Sequence, residues 1–306
     1  MSNTQIHVVV VTYHPDTKLL AKSILSLRHQ VQSITVVDNN SENFDSLRSL
    51  IKNYPECDLV SLPENRGLGA AQNTGIKKAV DQGADQILLL DQDSVMEGDS
   101  VTILSRSLFR LNLQQKTAAV GPQYKIDGNS VASPFVRTSW FYLGRVPLTE
   151  LQNSTFVETE FLISSGTLID ADAFRKIGPM DEELFIDHVD TEWCLRARSR
   201  NYRLYGVRDA HMSHRLGEQT YRIWLGRWRL LPKHKPFRYY FMFRNSLLLA
   251  RKPHVPLKWF SAELTKLLIL ASLCIFAPGQ RWQSLRLAAQ GIKDGALGRC
   301  PVKNSR

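Results

Sequence analysis

Two aspartates separated by one residue follow a short apolar segment and are the clearest candidates for chemistry in this sequence. Residues 87–90 read Ile-Leu-Leu-Leu, which predicts a buried strand, and Asp91 and Asp93 come directly after it. Ligands of open α/β sheets bind outside the carboxyl ends of the strands. Adjacent carboxylates repel unless a cation lies between them, and oxygen ligands suit Mg²⁺ or Mn²⁺. The pattern predicts a metal and diphosphate site, with turn and helix capping as the structural alternative.

Both acids are expected to face one crevice, because residues two apart in a strand point to the same side. Acidic residues also follow a second predicted strand and begin a predicted helix. Asp38 comes after the β-branched segment 34–37, where a carboxylate could accept the ring N–H of a pyrimidine base. Asp190 begins a helical pattern, and N-capping would explain it structurally. Asp187 and Glu192 flank it, so this helix start is more acidic than a cap requires.

Residues 64–75 contain a Gly-x-Gly pair at the start of another predicted helix. Gly67 and Gly69 would let the backbone approach a phosphate or sugar closely, and a helix N-terminus favours negative charge. The pair alone is weak support for such a site. It lacks the full dinucleotide-binding fingerprint and follows the third predicted strand instead of the first, which argues against a dehydrogenase.

Segments of strand length alternate with helical patterns through the first 121 residues. The predicted strands cover residues 6–12, 34–37, 59–62, 87–90 and 118–121. This alternation predicts a mostly parallel, doubly wound α/β sheet. Residues 161–167 predict a further strand ending in the small residues Ser165 and Gly166. Residues 124–154 show isolated aromatics among turns, and no role is predicted for them.

Two histidines follow a late predicted strand. Residues 202–207 form that strand, and His211 and His214 lie in the predicted turn after it. A lone histidine is ordinarily a surface or core residue. Two of them near an acidic strand end make one a candidate metal ligand.

The formal net charge of +10 is distributed unevenly along the chain. Residues 207–306 contain 19 Lys and Arg against four acids, whereas the first 206 residues contain 20 Lys and Arg against 25 acids. A basic region of this kind could face nucleic acid or anionic lipid. The four cysteines show no Cys-x-x-Cys spacing, which favours reduced thiols in the cytoplasm, and no secretory signal is expected at the N-terminus.

An uncharged segment in the basic region points to a membrane surface. Residues 267–280 form a run of 14 residues, shorter than the ~20 that a spanning helix needs. A core helix is the structural alternative. Lys, Arg and Trp residues flank the run and recur at residues 222–229, which favours a surface that lies in the headgroup layer of an anionic membrane.

Taken in order, these segments resemble the inverting, nucleotide-sugar-dependent glycosyltransferases of family 2, which have the GT-A fold, and among them the bacterial rhamnosyltransferases of surface-polysaccharide (O-antigen) assembly. The resemblance covers roughly residues 6–217. The matching segments are VTYHPD, VVDNNS, ENRGLGAAQNTGI, LLLDQDS, FLISSGTLI, GPMDEELFIDHVDTEWCLRAR and the late histidine-rich turn. It implies a catalytic domain over residues 1–217 and a basic, helical, membrane-associated region over residues 218–306.

The resemblance also implies roles for individual residues. Thr12, Tyr13 and Asp38 would lie along the nucleoside, and Asp190 would be the general base. The metal would be held by Asp91, Asp93 and His214, with Asp91 also contacting substrate. Further substrate-binding residues implied by the family are Asn65, Gly67, Asn73, Gln92, Ser165, Gly166 and Glu192. Many family members have Glu-Asp where this chain has Val189 and Asp190, so the base rests on Asp190, with Glu192 as the alternative.

The implied activity is transfer of L-rhamnose from dTDP-L-rhamnose to a polyprenyl-diphosphate-linked glycan, with Mg²⁺ or Mn²⁺, at the inner face of the cytoplasmic membrane. Nucleic acid is not an expected partner. Two alternatives stay open: transfer of another hexose from a UDP- or dTDP-sugar, and a non-catalytic module that binds nucleotide sugars, anionic lipid or RNA. The sequence leaves the acceptor sugar, the linkage and the oligomeric state open.

Overall fold

The computed structural model describes residues 4–126, 135–214, 220–224, 228–232, 235–276 and 281–300. The strands are β1 (Ile6–Thr12), β2 (Ser33–Asp38), β3 (Cys57–Ser61), β4 (Gln86–Asp91), β5 (Ser94–Met96), β6 (Thr117–Ile126), β7 (Val136–Thr138), β8 (Leu143–Arg145), β9 (Phe156–Thr159), β10 (Leu168–Asp170), β11 (Arg203–His214), β12 (Thr220–Trp224) and β13 (Trp228–Pro232).

Ten α-helices are found in the described part of the chain. They are α1 (Thr17–Leu27), α2 (Phe44–Ile51), α3 (Gly67–Asp81), α4 (Ser100–Asn112), α5 (Leu148–Asn153), α6 (Ala171–Ile177), α7 (Val189–Ser199), α8 (Pro236–Ala250), α9 (Leu257–Phe276) and α10 (Arg281–Ala296).

A nine-stranded sheet forms the centre of the molecule. Its order is β3-β2-β1-β4-β10-β6-β11-β5, and β9 pairs with β11. Strands β3, β2, β1 and β4 are parallel neighbours, as are β6 and β11, whereas β10 and β5 run antiparallel to their partners. The prediction of a mostly parallel α/β sheet is confirmed.

The sheet is buried on both faces, which explains the continuous apolar runs of its central strands. In β1, Val9 packs into one core with residues of α3, α6 and α7, whereas Val8 and Val10 pack into the other core with residues of α1 and α4. This alternation follows from the two-residue period of a strand. The two cores hold the strand ends rigidly at one edge of the sheet.

Two predicted elements differ in the structure. Residues 161–167, predicted as a strand, form the loop between β9 and β10. The apolar side chain of Leu162 is buried there, and a Cβ on Gly121 would lie 2.8 Å from it. The predicted turn at residues 209–214 continues β11, with an irregular register between Val207 and His211.

Three long helices follow the sheet. Helix α10 packs closely on α8, because Gly291 and Gly295 face the α8 backbone: added Cβ atoms would lie 2.3 Å from the Tyr240 carbonyl oxygen and 2.6 Å from that of Arg244. Among the described helices, none is both long and apolar enough to cross a membrane. Helix α9 contains the first ten residues of the uncharged run 267–280; the last four lie outside the described residues.

Candidate active site

The carboxyl ends of three adjacent parallel strands bring the predicted nucleotide-binding residues together. Thr12 of β1 pairs with Asp38 of β2, and Val11 of β1 pairs with Asp91 of β4. The two acidic positions therefore lie along one edge of the sheet, separated by the end of β1. This is the edge at which open α/β sheets bind ligands.

Asp38 is fully buried and is held by its own chain. Its Oδ1 atom accepts hydrogen bonds from the hydroxyls of Thr12 (3.1 Å) and Ser41 (2.5 Å), and its Oδ2 atom accepts one from the Ser41 N–H (2.9 Å). These bonds fasten the end of β1 to the loop after β2. Contact between Asp38 and a pyrimidine base stays a prediction, and it requires that loop to open.

Tyr13 and Gln92 connect the loops after β1 and β4. The Gln92 side-chain amide accepts a hydrogen bond from the Tyr13 N–H (2.9 Å) and donates one to the Tyr13 carbonyl oxygen (3.3 Å). Gln92 therefore supports Tyr13, and its contact with substrate stays a prediction. The side chain of Tyr13 is 41% exposed, so its ring is available to a nucleoside.

The loop before β10 supports the acidic strand end. The buried Ser165 hydroxyl donates to the Ser94 hydroxyl (2.7 Å) and accepts from the Asp91 N–H (3.1 Å). Gly166 has a φ of +80°, and a Cβ there would lie 2.7 Å from Pro122 and 2.9 Å from the Met212 sulfur. Ser165 and Gly166 therefore shape the strand end, and their contact with substrate stays a prediction.

Asp91 and Asp93 are both partly exposed, but they do not lie in one strand. Asp91 ends β4, and Asp93 lies in the turn between β4 and β5. The alternation expected of an extended strand therefore does not apply to this pair, which corrects the argument that made them face one crevice. Their proximity comes from the turn instead.

His214 lies at the end of β11, close to the acidic turn. The antiparallel register of β11 and β5 puts it opposite Ser94, the residue after Asp93. His211 is three residues away, about 10 Å along an extended strand, so the register favours His214 over His211. The His214 side chain lies outside the described part of the chain. Among the described side chains, no three His, Cys, Asp or Glu residues could hold a metal ion.

The glycines at the start of α3 accommodate the chain's own loop. A Cβ on Gly67, whose φ is +82°, would lie 2.5 Å from the Phe185 carbonyl oxygen, and one on Gly69 would lie 3.0 Å from that of Asp181. The close approach predicted for a phosphate or sugar is thus made by residues 181–187. The substrate-binding role of Gly67 stays a prediction.

Asn65 and Asn73 also hold protein segments. Asn65 Oδ1 accepts from the Asn39 side chain (2.9 Å) and from the Gly67 N–H (3.0 Å). Asn73 donates to the Met180 carbonyl oxygen (2.9 Å) and accepts from the Met180 N–H (2.8 Å). Both amides fix the surroundings of α3, and their contact with substrate stays a prediction.

Asp190 lies in the first turn of α7 and is partly buried. Its Oδ2 atom accepts from the Ser164 N–H (3.1 Å), and its Oδ1 atom accepts from the N–H (2.7 Å) and hydroxyl (3.3 Å) of Thr191. Burial raises the pKa of Asp190, and these donors and the nearby His188 oppose that shift without cancelling it. A carboxylate with fixed orientation and raised pKa is suited to accept a proton.

Glu192 has a structural role. Residues two apart do not share a helix face, and Glu192 is 1% exposed. It forms a two-point ion pair with Arg196 (3.0 and 2.9 Å) and lies 2.9 Å from His254 Nε2. Its contact with substrate and its alternative assignment as base stay predictions.

The loop before Asp190 is strained and is held by α8. Phe185, Asp187 and His188 have positive φ angles of 62°, 62° and 65°. The side chain of Asn245, fully buried in α8, donates to three carbonyl groups between residues 184 and 187 at 2.7–2.9 Å. The sequence analysis missed Asn245; an Arg-Asn-Ser group inside an apolar helix was the available signal.

The first part of the chain matches a known protein family. Residues 7–178, more than half of the chain, match the family model described as Glycosyl transferase family 2. The chain belongs to glycosyltransferase family 2. The strand-end part of the site lies within the matched residues, whereas Asp190 and His214 lie beyond them.

The relatives of this family 2 glycosyltransferase include proteins that transfer sugars in bacteria and archaea. It is 33% identical to the dTDP-rhamnosyl transferase RfbF of Shigella flexneri over 296 residues, 97% of each chain. It is 22% identical to the low-salt glycan biosynthesis hexosyltransferase Agl10 of Haloferax volcanii over 199 residues, 63% of this chain and 62% of the relative.

Solved structures confirm the predicted GT-A fold of this glycosyltransferase. GalNAc-T7 with UDP, GalNAc and Mn²⁺ matches with a TM-score of 0.60 at 17% identity, over 90% of this chain and 58% of that one. Residues 1–349 of Staphylococcus aureus TarS with UDP-GlcNAc match with a TM-score of 0.57 at 14% identity, over 95% of this chain and 81% of that one. At 14–17% sequence identity, these structural matches support the fold of the chain and not its substrate.

Proposed function

We propose that this glycosyltransferase moves L-rhamnose from dTDP-L-rhamnose to a lipid-linked glycan of a bacterial surface polysaccharide, such as an O-antigen, with inversion at the anomeric carbon. The assignment of dTDP-L-rhamnose as the donor is supported by the 33% identity to a dTDP-rhamnosyl transferase over 97% of both chains. A match of that extent includes the segments around Asp38, Asp91 and Asp190.

Asp190 is the proposed general base. The acceptor hydroxyl loses its proton to the Asp190 carboxylate while its oxygen bonds to the anomeric carbon. The bond from that carbon to the β-phosphate oxygen breaks, and dTDP leaves with the bonding electrons. A positioned base of this kind contributes roughly 10²–10⁴-fold to the rate. No covalent intermediate is required.

A divalent cation is the proposed cofactor, held by Asp91, Asp93 and His214. The donor set fits Mg²⁺ or Mn²⁺, since two partly exposed carboxylates flank one turn and the backbone of His214 pairs with the next residue, Ser94. When bound, the cation would supply Lewis-acid stabilisation of the departing diphosphate. Asp93→Ala should abolish metal-dependent binding of dTDP-rhamnose in calorimetry; unchanged affinity and metal dependence would show that the acids only shape the turn.

A membrane surface is the proposed location, on the cytoplasmic side. The tip of the β7–β8 hairpin exposes three consecutive aromatic residues, Trp140 (55%), Phe141 (73%) and Tyr142 (62%). The Ser261 hydroxyl of α9 donates to the Trp140 carbonyl oxygen, so hairpin and helix are neighbours. Helix α9 adds the exposed side chains of Leu257, Leu264 and Leu268. Aromatic and aliphatic side chains beside a basic region suit the headgroup layer of an anionic membrane.

Turnover with a panel of donors tests this function. Purified protein, a divalent cation and lipid-linked acceptors should release dTDP from dTDP-rhamnose faster than UDP from UDP-hexoses. Asp190→Asn should stop transfer but leave donor affinity unchanged, because the base acts on the acceptor. A preference for UDP-hexoses would replace rhamnose by another sugar. Donor binding without turnover by the wild-type chain would favour a non-catalytic role.

A further inference from the structure

A cavity lies between the loop that carries Asp190 and the C-terminal helices. Its volume is about 230 Å³, well above the ≈ 30 Å³ that one water occupies in the liquid. His188 and Thr191, on either side of Asp190, line one wall, and Trp259, Glu263 and Lys266 of α9 line another. Leu143 of the β7–β8 hairpin completes it. The cavity therefore lies beside the helix start that carries Asp190 and beside the β7–β8 hairpin.

One oxygen of Glu263 is held firmly inside this cavity. Oε1 accepts from the Ser246 hydroxyl (2.9 Å) and lies 2.7 Å from Lys266 Nζ and 3.1 Å from His188 Nε2. Burial alone would raise the pKa of Glu263, but His188 and Lys266 hold it well below its ordinary value. The Glu263 carboxylate is therefore charged, fully buried and oriented.

The other oxygen, Glu263 Oε2, is buried and has no hydrogen-bond partner among the residues that the structure describes. The same holds for the indole Nε1 of Trp259, one helical turn earlier. Trp259 lines this cavity and a larger neighbouring one, whereas Glu263 lines this one. Buried polar atoms without partners are costly and uncommon. Both residues line this cavity, so Glu263 Oε2 as acceptor and Trp259 Nε1 as donor suit a ligand with hydroxyl groups.

We infer that this cavity binds the sugar ring of the acceptor that is about to be glycosylated. The inference rests on the proposed function and names what the acceptor site recognises: a neutral, polyhydroxylated ring, one hydroxyl of which donates to Glu263 Oε2. Asp187 and Glu263 are each paired with a cation, Arg238 and Lys266, so the charges of the walls are balanced within the chain, which suits a neutral ligand. Aromatic and aliphatic walls from Trp259, Phe161 and Leu143 suit the C–H faces of a sugar.

Two substitutions test whether this cavity binds the acceptor and plays no part in binding the donor. Glu263→Gln and Trp259→Phe should each lower kcat/KM for a lipid-linked acceptor on the order of tenfold, the effect of one hydrogen bond to a buried group. Donor affinity and the slow release of dTDP to water in the absence of acceptor should stay unchanged. Glu56→Gln is the matched control, because Glu56 is paired with Arg28 at the surface, outside the cavity.

Trp259→Phe keeps the test decisive if Glu263→Gln folds poorly. It keeps an aromatic ring at this core position and removes an indole N–H that has no partner among the described residues, so the variant should remain folded by circular dichroism while acceptor kcat/KM falls. An unchanged acceptor kcat/KM in this variant would overturn the inference. An equal fall in release of dTDP to water would also overturn it, because the residues would then act by positioning Asp190. A wrong assignment of the donor gives a different result: the wild type would then turn over another sugar nucleotide in place of dTDP-rhamnose. The same variants would be compared with the wild type using that donor.

Discussion

The carboxylate of Asp190 is subject to two opposing effects. Loss of water around it favours the protonated form, whereas the Ser164 and Thr191 N–H groups favour the charged form. The net result is a carboxylate that is oriented by backbone groups and has a raised pKa, as the proposed base requires. Its neighbour Glu192, only two residues away, is paired with Arg196.

The raised pKa of Asp190 should appear in the pH dependence of transfer. Asp190 must be deprotonated to act as base, so activity should be lost as the pH falls through a pKa above the ordinary aspartate value of about 3.9. The pH profile of kcat/KM reports this group in the free enzyme. Thr191→Val removes a hydroxyl donor to the charged form and should move the acid limb to higher pH.

Thr191→Ser is the control for that measurement, because it keeps the hydroxyl. Its acid limb should coincide with that of the wild type. Identical acid limbs in wild type and Thr191→Val, or a limb at or below the ordinary aspartate range, would show that another group controls the profile.

At the scale of elements, the sequence predicted the central strands and the acidic residues that follow them. The β-branched and apolar runs at β1, β2 and β4 are buried on both sides of the sheet, so their composition alone identifies them, and the acids after them were found with them. The side-chain contacts of Gln92, Asn73 and Ser165 were not predictable, because each depends on a segment distant in sequence. A polar residue near a ligand site and one that braces the site look alike in sequence.

Composition also failed to predict secondary structure in two segments whose backbone conformation depends on tertiary contacts. Residues 161–163 are apolar enough for a strand, yet they form a loop because Leu162 fills the space over Gly121. The end of β11 is polar enough for a turn, yet it continues as a strand because β5 and β6 both pair with it. Neither partner can be recognised from the segment itself.

The contact between α8 and α10 should not tolerate a side chain at Gly291. Alanine in place of glycine ordinarily stabilises a helix by roughly 1 kcal/mol. At this position the Cβ would lie 2.3 Å from the Tyr240 carbonyl oxygen, so the helices must separate, and we expect Gly291→Ala to destabilise the protein by about 1–3 kcal/mol. Thermal or urea unfolding measures this. The exposed Gln283→Ala in the same helix should be neutral or stabilising, and a stabilised Gly291→Ala would contradict the close packing.

On the scale of the whole molecule, charge and exposed apolar groups are concentrated in one region. The last hundred residues have a net charge of +15, whereas the first 206 have a net charge of −5. The aromatic hairpin tip lies beside α9. Each Lys or Arg near an anionic membrane contributes about 1 kcal/mol of attraction. The same region closes the proposed acceptor cavity, so a lipid-linked acceptor would enter from the side that faces the membrane.

Removal of the hairpin aromatics should therefore weaken membrane binding more than catalysis. We expect a variant with Trp140, Phe141 and Tyr142 changed to Ser to co-sediment with phosphatidylglycerol vesicles at least several-fold less than the wild type, because three exposed rings no longer enter the interface. Donor affinity should be unchanged. The matched control changes Phe109 and Leu113 to Ser, two exposed apolar residues at the end of α4. Equal vesicle binding by wild type and the hairpin variant would assign these rings another role.

The attachment of Asn245 to the loop before Asp190 has a consequence for the order of folding. Asn245 lies 61 residues after Leu184, and long-range contacts of this kind form late because they must first close a long loop. Until α8 docks, the three hydrogen bonds from Asn245 cannot offset the strain of Phe185, Asp187 and His188, which is roughly 1–3 kcal/mol each. The central sheet should therefore regain its structure before the chain regains turnover. Refolding followed in parallel by circular dichroism and by enzyme activity should show that lag, and simultaneous recovery would contradict it. A newly made chain would be a folded α/β protein for a time before it becomes an enzyme.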